Sequence, residues 1–309
     1  MEHQIQWPKD RVLLLSICIP IYNQDVGILV SRLLSQIEDR KNEVDILLID
    51  DCSETHFKEL NKRFTDQVQY IELGLNVGRS KVRNQFLKHS NSEYLLFIDC
   101  DSAIIGEDYI SIYLEYIKQN RPKVLVGASI YKEEFPGLNF LLRWKYGRNR
   151  ESQAVESRRM NPSACFKTNN FLIARENLNK VQFREELDGY GHEDTLFGYD
   201  LNTNNIEIEH IDNPVLNCQL DSNREFLEKT EHGLLNLLKV WSIVNEDPRI
   251  LDQIKILRFY IKYKDSKLFR LFYLFFRRPS RALLRMGLVN LNVFDFYKLG
   301  YLIELSSKP

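Results

Sequence analysis

Apolar runs and amphipathic stretches take turns along the first hundred residues. Residues 12–20, 44–49 and 94–98 are almost unbroken apolar runs of strand length, the pattern of strands buried on both faces of a parallel sheet. Between them, Ile28, Leu29, Leu33, Leu34 and Ile37 recur at helical spacing and predict a helix over 25–40. Residues 54–65 are polar and helix-forming, 68–71 read as a short strand, and 80–89 as a helix carrying Lys81, Arg83 and Asn84 in its first turns. Strand, helix, strand, helix, strand in this order predicts an α/β domain with a doubly wound, mainly parallel sheet flanked by helices. Farther on, 107–119 read as a helix, 124–130 and 168–174 as strands, and 206–217 as a late strand region. The segment 131–168 is aromatic and basic, with Trp144, Tyr146, Arg148, Arg150, Arg158 and Arg159. From Asp221 onward the period is helical, so a domain over 1–222 is expected to be followed by a C-terminal helical extension over 223–309.

The predicted strands end in polar residues able to do chemistry. The first exits at Pro20-Ile21-Tyr22-Asn23, the second at Asp50-Asp51-Cys52-Ser53, and the strand 94–98 at Asp99-Cys100-Asp101. In open α/β sheets ligands bind outside the carboxyl ends of the strands. Four carboxylates gathered there repel one another unless a cation or hydrogen-bond donors compensate them. An Asp-x-Asp pair can hold a hard divalent cation, Mn2+ or Mg2+, which in turn holds a diphosphate. Asn76, Arg79, Lys81 and Arg83 supply donors and positive charge close by in sequence. The mixture suits a nucleotide, although Asp99-Cys100-Asp101 alone could be a solvated turn and Arg83 alone a surface charge. Later, Gly189-Tyr190-Gly191-His192 leads into Glu193-Asp194 at a predicted helix start, where negative charge is favoured.

Charge is unevenly spread. Residues 254–286 hold ten Lys or Arg against one Asp, so this stretch is positive by nine while the remaining chain is negative by ten. Together with the run Leu268-Phe269-Arg270-Leu271-Phe272-Tyr273-Leu274-Phe275-Phe276, that balance makes an anionic membrane surface a candidate partner for 254–286. A packed helical appendage with a solvated basic face is the plainer alternative. No nucleic-acid recognition motif accompanies the basic stretch, and none is expected to bind there. The five cysteines are scattered with no Cys-x-x-Cys pair, as in a cytoplasmic, reducing setting. The run 12–21 lacks a basic leader and contains Pro20, so it does not read as a signal peptide.

Taken together, Ile19-Pro20-Ile21-Tyr22-Asn23, Ile49-Asp50-Asp51-Cys52-Ser53, Asn76-Val77-Gly78 with Arg83-Asn84, and Phe97-Ile98-Asp99-Cys100-Asp101 resemble the family 2 glycosyltransferases over about residues 14–225. These are inverting enzymes of GT-A fold that use nucleotide sugars. The usual pattern has Gly at the place of Cys52 and Ala at that of Val82. The resemblance implies a nucleotide-sugar donor, most readily a UDP-sugar, and a glycan or lipid-linked acceptor. It implies that Pro20, Tyr22, Asn23, Asp50, Asp51, Asn76, Gly78, Arg83, Asp99 and Asp101 bind the donor, with Asp101 and Asp99 on the metal. It further implies that Asp194 is the general base and that Glu193 holds the acceptor. Relatives commonly complete the metal shell with a late histidine. Two positions here compete for that place, Asn217 and His210, and Asn217 stands where the histidine is expected.

Three other readings remain. A sugar-nucleotide nucleotidyltransferase also uses acids and Mg2+ but opens on a glycine-rich loop, and residues 12–23 contain no glycine. A haloacid-dehalogenase-type phosphatase shares an Asp-x-Asp motif, normally near the N-terminus. A catalytically weak or inert glycosyltransferase-like binding protein is the third, motivated by Asn217.

Overall fold

A computed structural model of the protein describes residues 13–187 and 189–307. The chain forms two compact units. Unit 1 takes in residues up to 129, 167–184 and 200–218, and unit 2 takes in 130–166, 185–199 and 219 onward.

Unit 1 is built on a seven-stranded sheet. Its strands are β1 (Leu15–Ile21), β2 (Val44–Asp50), β3 (Gln69–Glu72), β4 (Tyr94–Ile98), β6 (Val124–Val126), β8 (Asn170–Ala174) and β9 (Ile208–His210), in the order β3-β2-β1-β4-β8-β6-β9. β1, β2, β3 and β4 pair in parallel, which brings their carboxyl ends to one edge. β8 runs antiparallel between β4 and β6, so the sheet is mixed. Successive side chains of β1 face opposite sides. Leu15, Ile17 and Ile19 join the core beneath α1 (Gly27–Gln36) and α4 (Tyr109–Asn120), where Leu29, Val30, Leu33 and Tyr113 are buried. On the other face Phe97 stacks on Phe171 at 4.9 Å and meets Phe86 of α3 (Arg79–His89) edge-on at 5.4 Å. α2 (Thr55–Lys62) links β2 to β3, α7 (Arg175–Lys180) follows β8, and a short antiparallel pair joins β5 (Ser102–Ala103) to β10 (Val215–Asn217).

The strand expected over 124–130 is broken. The chain leaves β6 after Val126 and resumes as a separate strand, β7 (Ser129–Tyr131), with Ala128 at φ 75°. A wholly buried Asn170 is the reason. Its Oδ1 accepts the hydroxyls of Tyr109 at 2.6 Å and Tyr113 at 2.7 Å, and its Nδ2 donates to the carbonyls of Ala128 and Asn213. A Cβ on Gly127 would lie 2.2 Å from the Tyr113 hydroxyl and 2.6 Å from that Nδ2, so only glycine admits this approach.

Unit 2 is helical: α5 (Leu141–Tyr146), a π turn, α6 (Val155–Met160), α9 (Asn223–Ile243), α10 (Lys255–Tyr263), α11 (Lys267–Arg285) and α12 (Leu291–Ser306), with the start of α8 (Glu193–Thr203). α9 opens on a reciprocal cap in which Ser222 Oγ accepts the Glu225 N–H and the Glu225 carboxylate accepts the Ser222 N–H. Asn223 is buried and bonds the carbonyls of Leu138 and Arg285 and the N–H of Leu142. α11 continues through Pro279. Both Phe275, whose carbonyl the proline cannot bond, and Pro279 itself are exposed, so water can satisfy that oxygen.

Two stability changes follow. Asn170→Leu removes four hydrogen bonds from a dry site and is expected to cost about 3 kcal/mol or more in chemical denaturation, since each stranded buried group costs about 1–3 kcal/mol; a loss under 1 kcal/mol contradicts the hub. Cys52 lies at φ 63°, in the left-handed region, at the place where the family pattern has glycine. Cys52→Gly therefore trades a left-handed side chain for backbone entropy and is expected to raise the unfolding free energy by about 0.5–1 kcal/mol.

Candidate functional site

Three strand exits of unit 1 are knitted into one surface by their own polar groups. The Asp51 N–H donates to the Ile21 carbonyl at 2.8 Å, tying the end of β1 to the end of β2. Asn23 donates its N–H to Ser53 Oγ at 2.8 Å, and its Oδ1 accepts the Glu54 N–H at 2.8 Å. Tyr22 stands exposed beside it, and Pro20 is half-buried.

The two neighbouring carboxylates of the second exit have separate tasks. Asp50 is wholly buried; one oxygen accepts the Ser53 N–H at 2.7 Å and the other the Tyr70 hydroxyl at 3.1 Å. Burial and then the Asp50 charge raise the Tyr70 hydroxyl far above its usual range, so it remains a donor. Asp51 reaches the next loop, accepting the N–H of Val77 at 2.6 Å on one oxygen and that of Gly78 at 2.9 Å on the other. Asn76 Nδ2 bonds the Asp51 carbonyl at 3.1 Å. Burial lifts the Asp51 carboxyl above its ordinary range, the Val77 and Gly78 N–H groups pull it back, and the Asp50 charge adds to the rise. Gly78, at φ 87°, then starts α3.

One turn into α3, Arg83 is buried, its side chain only 3% exposed against 28% for Asp99. Its Nη2 donates to Asp99 Oδ1 at 2.8 Å, its Nη1 to the Arg79 carbonyl at 3.2 Å, and the Phe183 ring lies 5.8 Å away. Its Nε is buried and has no partner among the described residues. The Asp99 N–H is held by the Asn169 carbonyl at 3.1 Å and its carbonyl by the Ser102 N–H at 3.1 Å, which fixes the Asp-x-Asp turn. Between the acids, burial and then the charges of Asp101 and Asp99 push the Cys100 thiol up to about 12, too high for a thiolate at neutral pH.

The structure brings Asn217 to this turn and leaves His210 away from it. Asn217 faces Ser102 in the β5–β10 pair, and the Cys218 N–H donates to the Asp101 carbonyl at 3.3 Å. His210 is buried on β9 at the same sheet edge, three strands along from β4, about 14 Å by strand spacing alone. Among the described residues no group of three His, Cys, Asp or Glu forms a metal cluster by itself. The turn and its β10 neighbour carry the side chains of Asp99, Asp101 and Asn217.

In unit 2, Gly189, Gly191 and His192 all have positive φ and turn the chain into α8. A Cβ on Gly191 would lie 3.3 Å from Gly233 Cα, so this loop packs directly on α9, and Asn236 Nδ2 holds the Tyr190 carbonyl at 3.1 Å. Glu193 is buried in the first turn of α8, whereas Asp194 is half-exposed and accepts the Thr195 N–H on Oδ1 at 2.7 Å. Sequence reasoning missed the parts played by Ser53 and Tyr70. Tyr70 reaches Asp50 from twenty residues away and Ser53 Oγ receives Asn23 from thirty, and only the serine's place within the second motif hinted at its part.

Comparison with known proteins bears on the family and the fold. The sequence model of the family described as Glycosyl transferase family 2 matches residues 16–181. The poly(ribitol-phosphate) β-N-acetylglucosaminyltransferase TarP of Staphylococcus aureus is 28% identical over 117 residues, 36% of this chain and 35% of its own length. A poly(ribitol-phosphate) β-glucosyltransferase of Bacillus spizizenii is 30% identical over 145 residues, 41% of this chain and 22% of its own. The chain thus spans about a third or less of the length of these relatives. Among solved structures, S. aureus TarS 1-349 aligns with a TM-score of 0.53 at 16% identity, covering 96% of this chain and 92% of that one. Mannosyltransferase PcManGT from Pyrobaculum calidifontis, in complex with GDP-Man and Mn2+, aligns with a TM-score of 0.61 at 12% identity, covering 98% and 90%. These neighbours share the GT-A fold, with its mostly parallel central sheet between helices. With more than half its length matched by the family and its sheet folded in this way, the chain belongs to glycosyl transferase family 2.

Proposed function

We propose that the protein is an inverting glycosyltransferase that moves a sugar from a nucleotide diphosphate, most readily a UDP-sugar, to a hydroxyl of a glycan polymer or lipid-linked acceptor. The observation that carries this reading is Arg83: a buried guanidinium at the sheet's carboxyl edge, paired with a partly exposed Asp99, with its Nε unspent. A buried cation with a donor left over suits an anionic ligand, and the diphosphate of a nucleotide sugar is one. A complex of TarS with UDP-GlcNAc, on the same fold, supports the choice of uridine. The relatives' names point to an anionic polyol polymer as the acceptor class.

In this reading Tyr22, Asn23 and Asn76 line the base and ribose side. Asp51 acts by holding the loop that presents Gly78, while Asp50 secures Asp51's own turn from within. Asp101, with Asp99 and the Asn217 amide oxygen, would hold Mn2+ or Mg2+, an all-oxygen set that suits a hard cation once a diphosphate supplies further ligands. When bound, the cation neutralises charge on the leaving diphosphate. The acceptor oxygen forms its bond to the anomeric carbon as the bond to the diphosphate oxygen breaks, and Asp194 takes the acceptor's proton. Glu193, buried at the helix start, orients the acceptor. A lipid-linked acceptor would be met at an anionic membrane surface, the part of the reading that involves residues 254–286.

One observation favours a second reading. Asn217, a weaker ligand for Mn2+ than imidazole, sits beside Asp101, so an inert nucleotide-binding relative is the alternative.

Two measurements test the proposal. Asp194→Asn is expected to lower sugar transfer by about 10²–10⁴-fold while leaving UDP affinity within about twofold, because only the proton acceptor is lost. Near-normal turnover removes the base assignment, and absence of donor turnover in the unaltered chain favours the inert relative. Arg83→Met keeps the stem's packing and removes the charge. UDP affinity measured by calorimetry should fall by about thirtyfold or more, the equivalent of at least 2 kcal/mol for losing one partner of a buried charge pair.

A further inference from the structure

Helix α11 is apolar on two sides, and unit 2 covers only one of them. The inner side holds Tyr273, Ser280 and Leu284, all buried. A Cβ on Gly300 of α12 would fall 1.9 Å from the Tyr273 ring, so the two helices touch there. Arg281 and Arg277 point to carboxylates of the same unit, Glu231 at 3.0 Å and Glu304 at 2.7 Å. The outer side carries Leu268, Leu271, Phe272, Phe275 and Met286 at spacings of three, four and eleven, which places them on one stripe. They are far from buried: Leu268 is 79% exposed, Phe275 78% and Leu271 67%.

Lys267, Arg278 and Arg285, eleven and then seven residues apart, fall in a row along one border of that stripe. All three are exposed, and among the described residues none has a carboxylate partner. The stripe therefore presents an apolar centre edged by uncompensated positive charge. No helix among the described residues is long and apolar enough to cross a membrane, which leaves lying on the surface as the way such a helix can use lipid.

We infer that α11 is a membrane-docking helix whose outer stripe enters the headgroup–acyl boundary of an anionic bilayer, with Lys267, Arg278 and Arg285 on the lipid phosphates. Charge complementarity selects this occupant. A second copy laid on the same face would set one basic row against another, and nucleic acid offers nothing for Leu271 or Phe275. α10 contributes less, because Leu257 and Tyr260 are spent in the core of unit 2. The inference deepens the acceptor part of the proposed function and rests on it for its purpose, although lipid binding itself needs no sugar donor.

The test uses the full chain and sedimentation with vesicles of phosphatidylcholine alone or mixed with phosphatidylglycerol. Binding is expected to the mixed vesicles and to weaken with salt. K267Q/R278Q/R285Q should weaken it about fivefold per charge, on the order of a hundredfold in all. L271S/F275S should abolish it without lowering the thermal midpoint, since neither side chain packs inside unit 2. Absence of binding to the mixed vesicles overturns the inference, as does indifference to the three charges. A dimer in sedimentation equilibrium that Phe275→Ser dissolves, without vesicle binding, gives the face to a second copy. UDP calorimetry without lipid separates the two ideas: vesicle binding without UDP binding sinks the transferase reading alone, and the reverse sinks only the docking.

Discussion

The two oxygens of Asp51 set the site of unit 1. By accepting the N–H groups of Val77 and Gly78, they fix where the loop after β3 turns and therefore where α3 begins. Arg83 stands one turn into that helix, and its position delivers the guanidinium to Asp99. A buried carboxylate is costly unless donors meet it, and here the donors belong to the loop it positions. Asp50 next door would worsen the cost, but the Ser53 N–H and the Tyr70 hydroxyl compensate it. The acids left toward solvent are those of the Asp-x-Asp turn.

This separation divides the four carboxylates by task. Asp50 and Asp51 build the floor, whereas Asp99 and Asp101 are both partly exposed, with the buried charge of Arg83 paired to Asp99; in the proposed reading these two acids meet the ligand. A site of that kind is organised before any ligand arrives, because its cation is held by protein and its loop by backbone donors. Preorganised charge is what a departing diphosphate requires. In unit 2 the start of α8 shows a similar economy: three positive-φ residues bring a buried Glu193 and a half-exposed Asp194 to a helix N-terminus, where the backbone favours both charges.

Much of the first unit is legible in the sequence because its signals are local. The runs 44–49 and 94–98 emerge as β2 and β4 nearly residue for residue, since a short apolar run that stops abruptly at acidic residues suits a strand buried on both faces. The break after Val126 is not legible, because its cause, Asn170, lies forty-four residues later and acts through two tyrosines. The choice between Asn217 and His210 also depends on strand order: both sit on short late strands, and only the pairing of β10 with β5 sets Asn217 by the acidic turn. α11 runs past Pro279 because the proline falls on a wet face, a fact of tertiary packing. The composition of 254–286 signals a basic aromatic helix; which of its faces unit 2 covers is decided by Tyr273 against Gly300.

The central claim is that the Asp51-positioned loop, Arg83 and the Asp-x-Asp turn together form a diphosphate site. Calorimetric titration of the intact chain with UDP and with uridine, each in the presence of Mn2+, addresses it most directly. The account predicts a saturable heat from UDP that uridine does not give. Equal heats from the two, or none from UDP, would contradict it.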